Sequence, residues 1–343
     1  MRNLTTGVLL MGDLPAKELV SLARRIEEWG YDYLWLADER FFREVYSSLT
    51  LCALNTTRIK LGPCVTDPYS RHPALTAQAI ATLDEISEGR AMLGIGAGVS
   101  GFAELGIERS RPALAIREAI SLVRGLLAGE TVDYQGRTIR LNHGALNFLP
   151  PRADLPVYVA SNSPRGLQLA GELANGAIVS SCVTSATVGY ALGLIAEGAA
   201  KTGRSIDDLD RVARLNCCIC PDRQEALNGV RLSAIRSLIT YTRFAAAAGV
   251  EFPASLLDSL AEVGYTHDLN KLESLARQVP NHIVEESTLV GTVEDVTARV
   301  VNLSGWGISQ IIVRPSATPQ HGIDQTLKAF ATQVMPAVRQ QIG

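Results

Sequence analysis

Short apolar runs alternate with helical patterns along nearly the whole chain. In residues 15–29, the apolar positions Leu19, Leu22 and Ile26 have the spacing of one helix face. The next run, 33–37 (YLWLA), is uniformly apolar, which is typical of a strand that is buried on both faces. The alternation predicts strands at residues 4–10, 33–37, 59–65, 90–95, 156–160, 177–180, 211–220 and 310–313.

Helical spacing separates these strands. The predicted helices cover residues 15–29, 47–54, 73–86, 112–127, 164–174, 186–201 and 323–339, and a longer helical stretch covers 223–278. Eight apolar strands that alternate with helices indicate a parallel sheet covered on both faces. In a chain of 343 residues this repeat predicts an α/β fold, the (β/α)8 TIM barrel, with insertions.

Two segments exceed an ordinary strand–helix unit. Residues 131–149 have β-prone positions around Gln135 and Gly136, which predicts a hairpin and loop near 130–150. The long helical stretch places a second insertion near 222–290. Because no linker or change of composition divides the chain, we expect a single domain over 1–343.

Composition and charge exclude several classes of function. Hydrophobic residues make up 47% of the chain and charged residues 20%, as in globular domains. A net charge of −3 gives no electrostatic case for binding nucleic acid or an anionic membrane. No apolar run reaches the roughly 18 residues of a membrane span, and the start, MRNLTTGVLL, is a poor signal peptide. We therefore expect a cytoplasmic protein that binds neither nucleic acid nor membranes.

The six cysteines are interpreted as reduced thiols. Four of them lie in strand-like apolar runs, and no histidine lies at zinc-ligand spacing from any of them. The sequence thus predicts no metal site.

A glycine-rich stretch follows the fourth predicted strand. Residues 96–101 read G-A-G-V-S-G, which matches the G-x-G-x-x-G dinucleotide fingerprint. In that fingerprint a helix begins at the third glycine, whereas Gly106 and Pro112 delay the next helix here, so we reject an NAD site. Two interpretations stay open. The glycines let the backbone approach a flat ligand at the barrel mouth, or they form a tight turn required for packing alone.

Six runs carry a resemblance to a known family. They are GYDYLWLAD (30–38), LGPCVTDPYSRHP (61–73), ATLDEISEGR (81–90), LGIGAG (93–98), LAGELANG (169–176) and VGTVEDV (290–296). In these runs the chain resembles the bacterial-luciferase-like superfamily. Within that superfamily it is most similar to coenzyme F420-dependent oxidoreductases of the methylenetetrahydromethanopterin reductase type.

The resemblance implies a (β/α)8 barrel that binds a deazaflavin or flavin ring at its C-terminal mouth. In the F420 branch a bulge on the third strand carries a non-proline cis peptide against the ring, and by position that bond is Cys64–Val65. From its residue type alone, Cys64 is a small core residue. The resemblance places the cofactor-binding residues at Asp38, Cys64, Val65, Thr66, Gly96, Ala97, Gly98, Asn162, Ser163, Ser180, Ser181 and Cys182. The expected cofactor is coenzyme F420, with FMN as the alternative.

Polar residues after the predicted strands supply candidate chemistry. Glu39 is the catalytic candidate, since it follows Asp38 where some relatives carry a catalytic histidine, and a carboxylate buried at the mouth can move a proton. The alternative is that residues 38–40 form an exposed charged loop. Residues 161–163 and 180–182 match the pocket for the cofactor's phosphate, where Pro164 starts a helix whose N-terminus favours an anion.

The chain departs from the family pattern at three positions. Methanopterin reductases carry a glutamate in the first strand where this chain has Leu9, which argues against that exact reaction. Several F420 binders carry an acidic residue at the position of Val99, and others place a lysine at the position of Val183. The candidates for substrate contact are Leu9, Met11 and Arg314. Arg314 is suited to an anionic substrate, a cofactor tail or a carboxylate of the protein itself.

Three functions are weighed on this resemblance. The first is an F420-dependent oxidoreductase that moves a hydride between the deazaflavin C5 and a small organic substrate. The alternative is a two-component FMN monooxygenase, which takes reduced flavin from a partner reductase. A less favoured alternative is a non-catalytic flavin-binding relative. The resemblance also implies a homodimer or higher homo-oligomer.

Overall fold

The computed structural model describes residues 4–181, 183–266 and 268–343. Its strands are β1 (Thr5–Leu10), β2 (Tyr33–Leu36), β3 (Lys60–Pro63), β4 (Leu93–Ile95), β5 (Val132–Gln135), β6 (Arg140–Gly144), β7 (Val157–Ala160), β8 (Gly176–Ser180), β9 (Asp210–Ile219), β10 (Leu289–Gly291) and β11 (Gln310–Pro315).

Helices separate these strands as the sequence predicts. They are α1 (Ala16–Glu28), α2 (Val45–Leu54), α3 (Pro73–Ile86), α4 (Pro112–Leu127), α5 (Pro164–Leu173), α6 (Ser185–Ala200), α7 (Arg223–Ala247), α8 (Ala254–Val263), α9 (Leu269–Ala276), α10 (Asn281–Glu285), α11 (Val293–Gly305), α12 (Ile323–Ala329) and α13 (Met335–Ile342). Among the described residues, no helix is both long enough and apolar enough to span a membrane.

Eight parallel strands form the barrel. They pair in the order β3-β2-β1-β11-β9-β8-β7-β4, and β10 pairs in addition with β9. Single parallel bridges from Leu61 to Ala91 and from Thr66 to Ile95 bring β3 beside β4 and nearly close the ring. The predicted (β/α)8 fold is therefore confirmed, and the carboxyl ends of all these strands meet at one mouth.

Aromatic side chains fill the inside of the barrel. Trp35 is fully buried, and its ring meets that of Tyr158 edge-on at a centroid distance of 5.2 Å. Gly7 and Gly94 make room for Trp35, because a Cβ at either position would lie 3.2–3.3 Å from its indole ring. The interior layer is completed by Leu9, Tyr33, Ala37, Met92, Ile178, Val212 and Ile312.

The structure differs from the sequence prediction in the long helical stretch. The antiparallel pair β5–β6 is the predicted hairpin. The long helical stretch is divided, since α7 ends before Gly249, which has φ +84°, and Pro253 precedes α8. The strand β10 was not predicted, because three residues are too few to establish a period.

The last predicted helix is also interrupted. Residues 330–334 form a π-helical segment between α12 and α13. Pro336 lies directly beyond this segment and has no backbone N–H to donate to the preceding turn, so a regular α-helix cannot continue through it.

Gly94→Ala is expected to lower the free energy of unfolding by about 1–3 kcal/mol, the usual cost of overpacking a filled core. The added methyl would lie 2.2 Å from the carbonyl oxygen of Pro63 and 3.2 Å from Trp35. Urea unfolding followed by circular dichroism measures the loss. The control is Gly189→Ala in α6, where a Cβ meets nothing within 4 Å. It should raise stability by about 0.5–1 kcal/mol. Equal stability of Gly94→Ala and wild type would contradict a tightly closed β3–β4 contact.

Candidate active site

A cavity of about 590 Å³ opens at the mouth of the barrel. Its walls come from residues that end or follow the barrel strands and from one side of α7. The sequence-predicted residues that line it are Leu9, Met11, Asp38, Glu39, Cys64, Val65, Ala97, Gly98, Asn162, Ser163, Ser180 and Arg314. The structure therefore brings candidates from seven of the eight barrel strands and their following loops to one site.

Other predicted residues lie behind the cavity wall. The backbone N–H of Thr66 donates to Gly94, and the N–H of Gly96 donates to Thr66, so these two residues join the end of β3 to β4. Ser181 is fully buried, and its N–H donates to the carbonyl of Arg214. Cys182 lies outside the described residues.

The floor of the cavity follows β3. The Cys64–Val65 peptide is cis, as predicted from the resemblance. The N–H of Cys64 donates to the carbonyl of Leu36 on the neighbouring strand at 2.7 Å. Burial raises the pKa of the Cys64 thiol to about 12, so the side chain is a neutral surface at physiological pH rather than a nucleophile.

Arg40 organises the glycine-rich loop. Its guanidinium forms an ion pair with Asp67 at 3.1 Å, with side-chain exposures of 10% and 0%. Its Nε donates to the carbonyl of Ser100 at 2.7 Å, and the group lies 4.2 Å from the ring centroid of Phe102. The segment 38–40 is therefore partly buried, and the interpretation of it as an exposed charged loop is wrong.

The Arg40 side chain requires glycine at two positions of this loop. Gly98 and Gly101 have φ of +63° and +71°, and a Cβ at either would lie 2.4–2.5 Å from the Arg40 side chain. Both observations support the packing interpretation, although Gly98 also lines the cavity. No helix begins within the described loop 96–111, and α4 starts at Pro112, which agrees with the rejection of a dinucleotide fingerprint.

Two carboxylates stand at the mouth after β2. Burial raises the pKa of Asp38, while a hydrogen bond with Thr66 and the charges of Arg71 and Arg40 oppose that rise. Glu39 lines the same cavity. Burial and then the negative charge of Glu39 raise the pKa of the Tyr265 phenol, so these two groups influence each other across the site.

A corner rich in hydroxyl groups lies after β7 and β8. The hydroxyl of Ser163 accepts from the N–H of Gly166 in the first turn of α5, and the hydroxyls of Ser161 and Ser163 lie 3.0 Å apart. The side-chain oxygen of Asn162 accepts from the N–H of Ser180 at 3.0 Å. Hydroxyls beside a helix N-terminus fit an anion such as a phosphate.

Sequence reasoning missed most of the cationic wall of the cavity. Arg214 projects from β9, and Arg236 and Arg243 project from α7. Arg214 had a detectable signal, because it shares the inward-facing alternation of its strand with the barrel-interior residue Val212. Arg236 and Arg243 lie in a long helical stretch, and the sequence does not show which face of that helix is turned towards the barrel mouth. Arg314 lies within β11 rather than beyond it.

Three side chains of types that can ligate a metal come together away from the cavity lining. Cys220, Glu225 and His321 bring potential ligand atoms within 4.8 Å of one another, although they are far apart in sequence. Each already has a partner. The thiol donates to the carbonyl of Asp222 at 2.9 Å, and Glu225 accepts from the hydroxyl of Thr318 and lies 3.3 Å from the His321 ring. Hydrogen bonds thus account for this cluster.

Arg40→Met is expected to lower the free energy of unfolding by about 3–5 kcal/mol, because it leaves the carboxylate of Asp67 buried without its cation. Urea unfolding measures the loss. The control is Arg43→Met, an exposed residue whose guanidinium donates only to the carbonyls of Gly12 and Asp13 among the bonds described. It should cost about 1 kcal/mol or less. Equal losses in the two variants would show that the buried ion pair does not organise the mouth.

Comparison with known proteins agrees with this geometry. The family model described as luciferase-like monooxygenase matches residues 4–310. The 5,10-methylenetetrahydromethanopterin reductase of Archaeoglobus fulgidus is 31% identical over 335 residues, which cover 97% of this chain and 99% of that protein. The F420-dependent glucose-6-phosphate dehydrogenase of Nocardia farcinica is 31% identical over 255 residues, or 70% of this chain and 76% of that protein.

A solved structure is similar over almost its whole length. It is the coenzyme F420-dependent tetrahydromethanopterin reductase of Methanopyrus kandleri, with a TM-score of 0.84 and 26% identity. The match covers 97% of this chain and 99% of that one. The barrel, the site at its mouth and these matches confirm the resemblance seen in the sequence: the chain belongs to the luciferase-like monooxygenase family.

Proposed function

We propose that the protein is an F420-dependent oxidoreductase that transfers a hydride between the deazaflavin C5 and a small organic substrate. The observation that carries the proposal is the floor of the cavity. Ala37, Cys64, Ala97 and Ala160 line it with small side chains, which leave room for a tricyclic ring against the backbone. Similarity to a tetrahydromethanopterin reductase and a glucose-6-phosphate dehydrogenase that are both named as F420-dependent supports this cofactor over FMN.

In this proposal two groups of residues hold the cofactor. Asp38, Cys64, Val65, Ala97 and Gly98 surround the ring, and Thr66, Gly96 and Ser181 support this wall from behind. Asn162, Ser163 and Ser180 receive the phosphate at the N-terminus of α5, where backbone N–H groups and hydroxyls stabilise negative charge. When bound, the deazaflavin supplies the carbon that donates or accepts the hydride.

Glu39 is proposed to move the proton that accompanies the hydride. The residue lines the cavity and lies close enough to Tyr265 to raise the pKa of that phenol. A carboxylate in this position can hold or release a proton beside the substrate while the apolar floor excludes water.

Leu9 limits which reaction is proposed. The side chain is buried in the barrel interior and lines the cavity floor, so it offers no proton and no hydrogen bond where methanopterin reductases carry a glutamate. We therefore propose the F420-dependent hydride transfer for this chain without assigning it the pterin substrate of those reductases.

Titration of the protein with F420 and, separately, with FMN tests the cofactor. We expect saturable binding of F420, followed by its fluorescence, with a lower Kd than for FMN. The reduced complex should be stable in air, because a deazaflavin lacks the flavin reaction with oxygen. Tighter binding of FMN, with rapid oxidation of the reduced complex by oxygen, would instead support the monooxygenase alternative.

Glu39→Gln is expected to preserve the Kd for F420 and to lower turnover by about 10²–10⁴, the size of a general acid–base contribution. One limb of the pH–rate profile should disappear, because an amide does not titrate in this range. Glu104→Gln is the control, since this exposed carboxylate does not line the cavity. If Glu39 only orients a cationic substrate, KM rises and kcat stays unchanged. A wild-type rate and pH profile would remove Glu39 from the mechanism.

A further inference from the structure

One side of the cavity carries four arginines. Arg214 comes from β9, Arg314 from β11, and Arg236 and Arg243 from α7. The strands β9 and β11 are neighbours in the sheet, and Arg314 lies in register with Asn216, two residues beyond Arg214. We refer to Arg214, Arg236, Arg243 and Arg314 as the arginine wall.

The arginine wall has few partners of its own. Arg214 donates from Nε to the hydroxyl of Ser180 at 3.0 Å, and Arg314 donates to the side-chain oxygen of Asn216 at 3.5 Å. The buried Nε of Arg236 has no hydrogen-bond partner among the described residues. None of the ion pairs between described residues uses one of these four guanidinium groups, and Asp13 is a carboxylate whose charge acts on Arg314.

This arrangement differs from that of the other buried arginine of the mouth. Arg40 is paired with Asp67, whereas Arg314 has the charges of Arg214 and Arg236 as its neighbours, and Arg243 is an exposed residue. Burial, followed by the charges of Arg214 and Arg236, lowers the pKa of Arg314 to about 10. The chain has a net charge of −3, so this local excess of positive charge does not follow from its composition. Desolvated like charges oppose folding, and a ligand that carries the missing negative charge would relieve that cost.

We propose that the arginine wall binds an anionic group, a carboxylate or a phosphate, on the substrate itself. This inference rests on the hydride-transfer function proposed above, and it narrows the substrate class to small organic anions. The planar fork of arginine matches both groups, since each presents two oxygens to one guanidinium. The hydroxyl-rich corner formed by Ser161, Asn162, Ser163 and Ser180 provides a separate place for the cofactor's phosphate. Arg314 lies on β11 beside β1, and Leu9 on β1 and Met11 just after it also line the cavity.

The alternative ligand of the arginine wall is the phosphate of the cofactor, because Arg214 contacts Ser180 in the hydroxyl-rich corner that is proposed to receive that phosphate. The two sources make different predictions for Arg236 and Arg314. If the wall serves the substrate, removing either charge weakens the binding of a small anion and leaves F420 affinity unchanged. If it serves the cofactor, the affinity for F420 falls as well.

The first experiment titrates the cofactor-free protein with inorganic phosphate and with glutarate by calorimetry. We expect saturable binding that weakens as the ionic strength rises. Arg236→Gln and Arg314→Gln should each weaken it by about tenfold to a hundredfold, because each removes a charge-assisted contact. The control is Arg223→Gln, which removes a charge from the same helix α7, outside the cavity, and should leave the affinity unchanged.

Thermal unfolding separates this role from a structural one. Because Arg314 has the like charges of Arg214 and Arg236 as its neighbours, Arg314→Gln should raise the Tm of the ligand-free protein, and phosphate should raise the Tm of wild type more than that of the variant. A Tm lowered by Arg314→Gln, or phosphate affinity equal to wild type in both glutamine variants, would overturn the proposal.

Fluorescence titration of F420 with the same variants completes the test. Unchanged affinity for F420 supports the substrate role, and a parallel loss of F420 and phosphate affinity overturns it in favour of the cofactor's phosphate. A protein that binds phosphate through these arginines but does not bind F420 contradicts the proposed function and still supports the anion site.

Discussion

Packing around Trp35 is the constraint on which the position of the site depends. A closed barrel of eight strands has an interior that side chains must fill, and here one indole with Tyr33 and Tyr158 beside it occupies most of that space. Gly7 on β1 and Gly94 on β4 make this possible. Above this aromatic layer the interior side chains become small, so the cavity begins at the height of Cys64 and Ala160 rather than deeper in the barrel.

A buried ion pair joins the loops at the barrel mouth, above this floor. The Arg40–Asp67 pair is almost completely buried, and the same aspartate also accepts from the N–H groups of Tyr69 and Ser70. A buried ion pair contributes little net stability, but it specifies one arrangement, because any other leaves a charge without its partner. The loops after β2, β3 and β4 are joined in this way, which is why the loop at Gly98 and Gly101 has no space for side chains.

The sequence was sufficient to predict the barrel, because apolar strands buried on both faces are distinctive and their number determines the architecture. The cis peptide at Cys64–Val65 and the predicted cofactor-binding residues that line the cavity followed from the family resemblance. Gly249 and Pro253 are a local signal for the division of the long helical stretch that hydrophobic periodicity alone does not use. The short strand β10 was not predictable, since it depends on tertiary pairing. Arg236 was missed for the same reason. It reaches the cavity because of the way α7 packs over the mouth, and the local sequence pattern does not predict that packing.

The two sides of the cavity would stabilise a bound anion in different ways. On the side of β7 and β8, neutral hydroxyls and the N-terminus of α5 offer partial positive charge, which can receive an anion without a high cost when the ligand is absent. On the side of β9, β11 and α7, guanidinium groups lie near one another without an ion pair to a described carboxylate, and that arrangement is costly until a ligand neutralises it. Glu39, on the loop after β2, adds a negative charge that raises the pKa of Tyr265, and the charges of Arg314, Arg236 and Arg214 oppose that rise. If the protein transfers a hydride as proposed, a bound anion would therefore alter the electrostatic environment of the proton-transfer group itself. Substrate binding and proton transfer would then be coupled through the same cationic wall.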